Sequence, residues 1–430
     1  MKSFDLGSFI VIVIMCAIAK FIEDIYFPMA LDIVYDFNIT KQYMQKAASI
    51  YFMGFVIGVI IFGFLSDIIG RKICTLIGFC ILILGILILS NSHEFEYFLI
   101  GKCLQGIGAS ISSILTQSIS RDVLSGKDLS KMYADTAKGM VPIYCLGPIL
   151  GGQFASLIGW RDTSYFIIVF LLISMLVAKY LLPETLNVNN INLNENEIIL
   201  HNKLRNSLKY NLSRLTKNQF IEKLKIFYIS ATNMLKDPNI LLRGLIIGLC
   251  GSTTFGIMYE SPFFYMNILK LKPDQYSILY VLNGLSFLIS GTVTANMLKK
   301  HDAMQIIKII VKIELLLAAI FCFGLFYLKN IEFLSINLII VFAVLMQFTI
   351  TSCATIISNN TMSSAFTTKD NIGISTSILV IYYYSIISFI IYLISNYSIL
   401  NIMSMPIIVL ILVTSKFFVF NISFNKGKIK

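Results

Sequence analysis

Long apolar runs, each closed by a charged or helix-breaking residue, follow one another along almost the whole chain. They predict helices at 7–30, 45–66, 73–91, 96–118, 138–158 and 163–182, and, after a polar interval, at 239–262, 275–297, 304–328, 331–357, 371–394 and 397–420. Each run approaches or exceeds the length of about 20 apolar residues that a helix needs to cross a bilayer. The expected fold class is therefore all-α and integral to the membrane, with twelve transmembrane helices, because a helix satisfies its own backbone where no water can. The runs form two sets of equal length, 1–182 and 239–420, as a duplicated six-helix unit would. The expected organisation is a six-helix bundle over 1–182, a cytoplasmic linker over 183–238 and a second six-helix bundle over 239–430.

The linker opens Leu182-Pro183-Glu184-Thr185, passes through an Asn-rich stretch and turns basic. From Phe220 to Leu235 it reads as an amphipathic helix, with Phe220, Leu224 and Phe227 near one face and Lys223 on the other. Such a helix lies along a membrane interface.

Composition supports the membrane reading. Only 13% of the 430 residues are charged, 57% are hydrophobic and the mean hydropathy is +0.81, whereas a soluble domain carries roughly 25% charged residues. The net charge of +11 would suggest nucleic acid in a soluble protein. Here it follows the loops. With both termini inside, Arg71, Lys72, Arg121, Lys127, the linker lysines and the C-terminal Lys426, Lys428 and Lys430 fall on the cytoplasmic side, against Lys41, Arg161, Lys270, Lys272 and Lys329 outside. That bias sets both termini in the cytoplasm. The first apolar run is too long for a cleavable signal. The eight cysteines form no Cys-x-x-Cys pair and the three histidines lie far apart, so buried thiols are expected and no metal site is.

Charges inside the runs are costly and so are candidates for function. The first helix carries Lys20, Glu23 and Asp24, with Pro28 one turn later. Lys20 and Asp24 share a helix face and can pair, while the proline frees backbone carbonyls. Burial disfavours a charged carboxylate and a nearby cation favours it, a competition that lets bound cargo displace a proton; a structural Lys–carboxylate pair is the simpler reading. Glu260 repeats the arrangement of an acid before a proline, Pro262, and also fits an interfacial position. Lys102 is read as facing a central cavity, with snorkelling outward as the alternative, and Glu314 as pairing with its neighbours Lys308 and Lys312. Tyr26, Tyr51, Tyr259 and Tyr382 to Tyr384 offer aromatic contacts to cargo, or serve packing and the interfacial belt.

Three motifs carry a resemblance. Gly63-Phe-Leu-Ser-Asp67-Ile-Ile-Gly70-Arg71-Lys72 lies between the second and third helices, where Asp67 can accept bonds from a neighbouring helix N-terminus. Gly101-Lys102-Cys-Leu-Gln105-Gly106-Ile-Gly108 lies in the fourth, and Gly147-Pro148-Ile-Leu-Gly151-Gly152 in the fifth. These resemble the signatures of the major facilitator superfamily, except that Lys102 stands where the family pattern has Arg, which keeps the charge and loses the bidentate fork. Asp24-Ile-Tyr26-Phe-Pro28, Arg121-Asp122, Gly159-Trp160-Arg161, Leu182-Pro183-Glu184-Thr185 and Ser261-Pro262-Phe263 are similar to strings of its bicyclomycin and chloramphenicol resistance (Bcr/CflA) subfamily.

The resemblance covers nearly all of 5–300 and fades beyond. It implies two six-helix bundles that expose a midplane site to each side in turn. Asp24 matches the first-helix acid of proton and drug recognition; Asp67, Arg71 and Asp122 match a charge cluster that latches the two conformations; Gly147, Pro148, Gly151 and Gly152 match a segment typical of drug–proton antiporters. The function implied is proton-coupled export of small amphipathic drug-like molecules by a monomer in a bacterial inner membrane, in contact with lipid and not nucleic acid; the alternative is a metabolite importer of the same superfamily. No phosphate-binding loop and no clustered nucleophiles appear, so the expectation is no enzyme activity, no cofactor and a proton gradient as energy source.

Overall fold

The computed structural model describes residues 6–124, 126–186, 225, 227–229, 231–232, 236, 238–297, 300–301, 303–328, 372–397 and 403–425. The predicted span at 331–357 and most of the linker, including much of its predicted amphipathic helix, lie outside the described residues. The helices are α1 (Leu6–Tyr26), α2 (Ala30–Asp36), α3 (Lys41–Ile69), α4 (Arg71–Ser90), α5 (Phe95–Ala109), α6 (Ile111–Val123), α7 (Gly126–Leu157), α8 (Gly159–Leu181), α9 (Pro238–Pro262), α10 (Pro273–Met297), α11 (Ala303–Leu328), α12 (Ile372–Tyr397) and α13 (Ser404–Asn425). Among the described residues, eight helical segments are long and apolar enough to cross a membrane.

Local chemistry sets the breaks. Pro28 falls in a 3₁₀ turn, Phe27–Met29, that joins α1 to α2 into one 31-residue segment, Leu6–Asp36, longer than the predicted 7–30. The predicted fourth helix divides at Ser110, whose hydroxyl donates back to the Ile107 carbonyl at 2.7 Å; such back-bonding bends helices. Pro262 cannot donate to the Met258 carbonyl one turn earlier, and the Ser261 hydroxyl donates to it instead at 2.8 Å. A π turn, Phe263–Ile268, follows.

The chain divides into two compact units. The first comprises Met1–Lys20, Gly54–Met140 and Ser164–Thr232; the second comprises Phe21–Met53, Val141–Thr163 and Asn233–Lys430. The units interleave along the chain, so the boundaries at 182 and 238 rest on the sequence alone.

In the first unit α3, α4 and α5 approach through glycine. A Cβ on Gly54 would lie 2.2 Å from the Cys103 carbonyl oxygen, and one on Gly108 would lie 2.6 Å from the Leu82 amide nitrogen. These distances admit only hydrogen, and interfaces of this kind hold helices together in lipid. In the second unit Gly151 places α7 directly on α1, a Cβ there falling 2.3 Å from the Ile25 carbonyl oxygen.

Candidate functional site

The second unit buries a tier of carboxylates. Glu23 and Asp24, adjacent on α1, are 7% and 1% exposed, and Glu260 on α9 is fully buried. The Tyr259 hydroxyl donates to Glu23 Oε2 at 2.6 Å. The Tyr280 hydroxyl, from α10, donates to Asp24 Oδ1 at 3.0 Å. Adjacent residues on a helix point about 100° apart, so the two acids turn to different helices. Phe27 packs against both tyrosine rings, with centroids 5.1 and 5.5 Å away.

Glu260 is buried among donors. Lys41 Nζ donates to its Oε2 at 2.6 Å and Gln45 Nε2 to its Oε1 at 2.6 Å, with the Ser404 hydroxyl 3.4 Å away. Lys41, read from sequence as an outer-loop cation, is itself buried at the start of α3. A buried carboxylate needs this density of donors to repay its lost hydration.

The helix-five segment serves the acids as a support. Gly147, Pro148, Gly151 and Gly152 are all buried, and a Cβ on Gly147 would come within 3.2 Å of the Phe21 carbonyl and 3.3 Å of Asp24 Cβ. Tyr26 is buried in the core. Tyr382 packs its ring on Gly244, 2.6 Å from where a Cβ would stand. Glu314 is corrected: it forms a fully buried ion pair with Lys416 of α13, rather than resting on the lysines beside it in sequence. Lys20 belongs to the first unit and is half-buried. Lys102 and Gln105 are buried on α5, also in the first unit.

The first unit holds the charged turn together. Gly70 has φ +102°, in the region that favours glycine, and a Cβ there would meet the Glu184 carboxylate at 2.3 Å. Gly63 lies half-buried one turn before Asp67 on α3. Arg71 bonds three groups: Asp67 at 2.6 Å, Asp122 at 3.0 Å and the Ser66 hydroxyl at 2.6 Å. Thr185 donates to Asp122 at 3.2 Å. The acid on the α4 N-terminus is Glu184, which accepts from the Arg71 and Lys72 amides at 2.8 and 3.2 Å. The sequence reading gave that part to Asp67 and carried Glu184 only as a piece of a string. Burial pushes the Glu184 carboxyl above its ordinary value, against the pull of its backbone donors and Arg71.

Sequence reasoning missed Lys41, Gln45, Tyr280 and Lys416. One signal was present for the first two, since Lys41 and Gln45 are four residues apart on one face of α3.

Membrane-length helices enclosing buried, hydrogen-bonded acids define a polytopic membrane protein with ionisable groups in its interior. The chain belongs to the Major Facilitator Superfamily, whose family model matches residues 10–392. It is 27% identical over 283 residues to an uncharacterised transporter of Rickettsia bellii, covering 65% of this chain and 63% of the relative, so the chain spans under two thirds of that relative's length. A bicyclomycin resistance protein homolog of Haemophilus influenzae is 20% identical over 303 residues, 70% of this chain and 69% of the relative; it agrees with the Bcr/CflA resemblance of the motifs. The partially occluded, inward-open xylose transporter XylE from E. coli matches 99% of this chain and 98% of its own with a TM-score of 0.73 at 12% identity, which shows a shared major facilitator fold. The family and its structural neighbours are transporters and not enzymes.

Proposed function

We propose that this protein is a proton-coupled antiporter that exports drug-like small molecules by alternating access, as a monomer in a bacterial inner membrane with both termini cytoplasmic. The reading is carried by one observation: two adjacent acids buried on α1 are each held by a tyrosine from a later helix, Glu23 by Tyr259 and Asp24 by Tyr280. An acid placed in this way exchanges its tyrosine donor, a proton or a polar group of the cargo, and each exchange alters what holds α1 to α9 and α10. Aromatic rings around the acids supply apolar contact to an amphipathic molecule. The bicyclomycin-resistance relative supports drug-like cargo, and the glycine-rich α7 segment behind Asp24 supports antiport by its likeness to antiporter sequences.

The test is a drug-susceptibility panel in an efflux-deficient bacterial host, comparing empty host, wild type and Asp24→Asn. Wild type is expected to raise resistance to some compounds and Asp24→Asn to abolish the gain. Proton-driven accumulation inside everted vesicles fixes the direction as export. Equal susceptibility of all three strains across the panel sinks the assignment.

A further inference from the structure

In the first unit, α4 and α8 are fastened to each other at two levels. Part-way along them the Cys80 thiol donates to the Met175 sulfur at 3.9 Å. At the ends, Glu184, three residues beyond α8, accepts from the amides of Arg71 and Lys72, which open α4, at 2.8 and 3.2 Å. These fastenings bring Lys72, the second residue of α4, near Lys179, the third residue from the end of α8. The charge of Lys179 acts on Lys72.

The two ammonium groups lack the acid that such a pair calls for. Among the described residues neither makes an ion pair or a hydrogen bond. The neighbouring Arg71 takes Asp67 and Asp122. Glu184, the acid that acts on Lys72, is buried and already accepts the backbone amides of Arg71, Lys72 and Leu186. Lys72 is half-buried and Lys179 exposed. The Lys179 ammonium lies 5.8 Å from the ring of Tyr180, which is 75% exposed. A lysine beside an exposed tyrosine at the end of a spanning helix marks the headgroup level of a bilayer.

Two like charges held together at that level are relieved by an anion set between them. A phosphodiester carries one negative charge, and its oxygens accept from ammonium groups. The surface that runs from the lysines into the bilayer is apolar, with Cys80 and Leu84 of α4 and Leu172 and Leu176 of α8 exposed. A soluble phosphate would use the charges and leave that surface idle, whereas a phospholipid uses both.

We propose that the paired ends of α4 and α8 bind the headgroup of an anionic phospholipid, with Lys72 and Lys179 on its phosphate and its acyl chains along the exposed faces of the two helices. The test titrates the full chain in neutral detergent with phosphatidylglycerol and follows the Tm, which rises by mass action when a ligand binds the folded state. Half-saturation is expected at about tenfold lower concentration for phosphatidylglycerol than for phosphatidylcholine, whose headgroup carries no net charge. In Lys72→Gln with Lys179→Gln it is expected to rise on the order of tenfold, and Lys72→Arg with Lys179→Arg should keep the wild-type value. Lys270→Gln with Lys272→Gln removes the same charge from exposed positions elsewhere and should bind as wild type does.

An equal loss in that control overturns the proposal, because it marks attraction to net charge alone. So does a response that is the same in all variants, or the same for both lipids. Glycerophosphoglycerol, the same headgroup without acyl chains, is expected to leave the Tm unchanged; a rise equal to that from the lipid replaces the lipid site with a plain anion site. Lys179 is exposed, so Lys179→Gln alone keeps the test readable if the double variant does not fold. It is expected to raise half-saturation about threefold, and no rise overturns the site.

Discussion

Tyr259 and Glu23 lie 236 residues apart in the chain, and the tyrosine hydroxyl donates to Glu23 Oε2 at 2.6 Å with both residues buried. Beside them Tyr280 and Asp24, 256 residues apart, repeat the arrangement at 3.0 Å. The two acids are neighbours in sequence, yet each is held by a different later helix, so a change at one acid need not release the other.

Tyr259→Phe removes the donor and keeps the ring that packs on Phe27. A hydrogen bond contributes about 0.5–1.5 kcal/mol net. Proton-driven uptake into everted vesicles is expected to slow about tenfold, the equivalent of about 1.4 kcal/mol in the barrier. Adding Glu23→Gln to Tyr259→Phe is expected to cost less than the sum of the single changes, because the two residues share one interaction. Additive losses would show that the bond has no part in transport.

Gly151→Ala is expected to be far more damaging than Gly147→Ala. A Cβ at 151 would lie 2.3 Å from the Ile25 carbonyl oxygen, a backbone atom that cannot turn aside, whereas one at 147 has 3.2 Å to its nearest neighbour. Thermal unfolding in detergent should show a lowered Tm for Gly151→Ala, by the equivalent of about 1–3 kcal/mol for an overpacked site. Transport should fall with it, since α1 carries the acids. Equal Tm values for the two variants would contradict the packing.

Glu314 and Lys416 form an ion pair with no exposed surface. Removing one partner of such a pair typically costs about 3–5 kcal/mol, while replacing both with apolar residues of similar volume is often neutral or stabilising. Glu314→Leu alone and Lys416→Met alone should each lower the Tm strongly. The double variant should recover it. A double variant less stable than either single would show that the pair has a role beyond neutralising itself.

Glu184 should impose a pH slope on stability. Its folded-state value lies above the ordinary 4.5 because burial disfavours the ionised form. Folding therefore binds a proton at this site: its contribution is fullest below about pH 4.5, falls as pH rises towards the folded value and then levels. Against Glu184→Gln, the wild-type Tm should decline as pH rises above the ordinary carboxyl value of 4.5 towards the folded value. The glutamine variant loses part of the cap on the Arg71 and Lys72 amides, which shifts its curve without supplying a slope. Parallel curves would refute the assignment.

Much of the helix pattern was legible in the sequence because its cause is local. The helices at 7–30 and 73–91 read from apolar length alone, since a backbone in lipid has no other way to satisfy itself. The charged turn was legible for the same reason: Gly70, Asp67 and Arg71 are near neighbours whose chemistry is fixed at short range. Glu184 was present in a recognised string, but its task on the α4 N-terminus depends on a chain segment 113 residues away. Lys41 was assigned to a loop because a lysine at the head of an apolar run ordinarily faces water, and only the approach of α9 makes it a buried partner.

The sequence by itself determined that this chain lives in a membrane, where most of its helices run, which acids are out of place in them and which family its turns belong to, because hydropathy and turn chemistry act over a few residues. Only the tertiary structure decided which partner each buried charge takes, Tyr259 for Glu23, Tyr280 for Asp24, Lys41 for Glu260 and Lys416 for Glu314. Those partners stand 102 to 256 residues away. Their meeting is set by how closely whole helices approach, a quantity governed by glycines such as Gly151 on one element and the backbone of another.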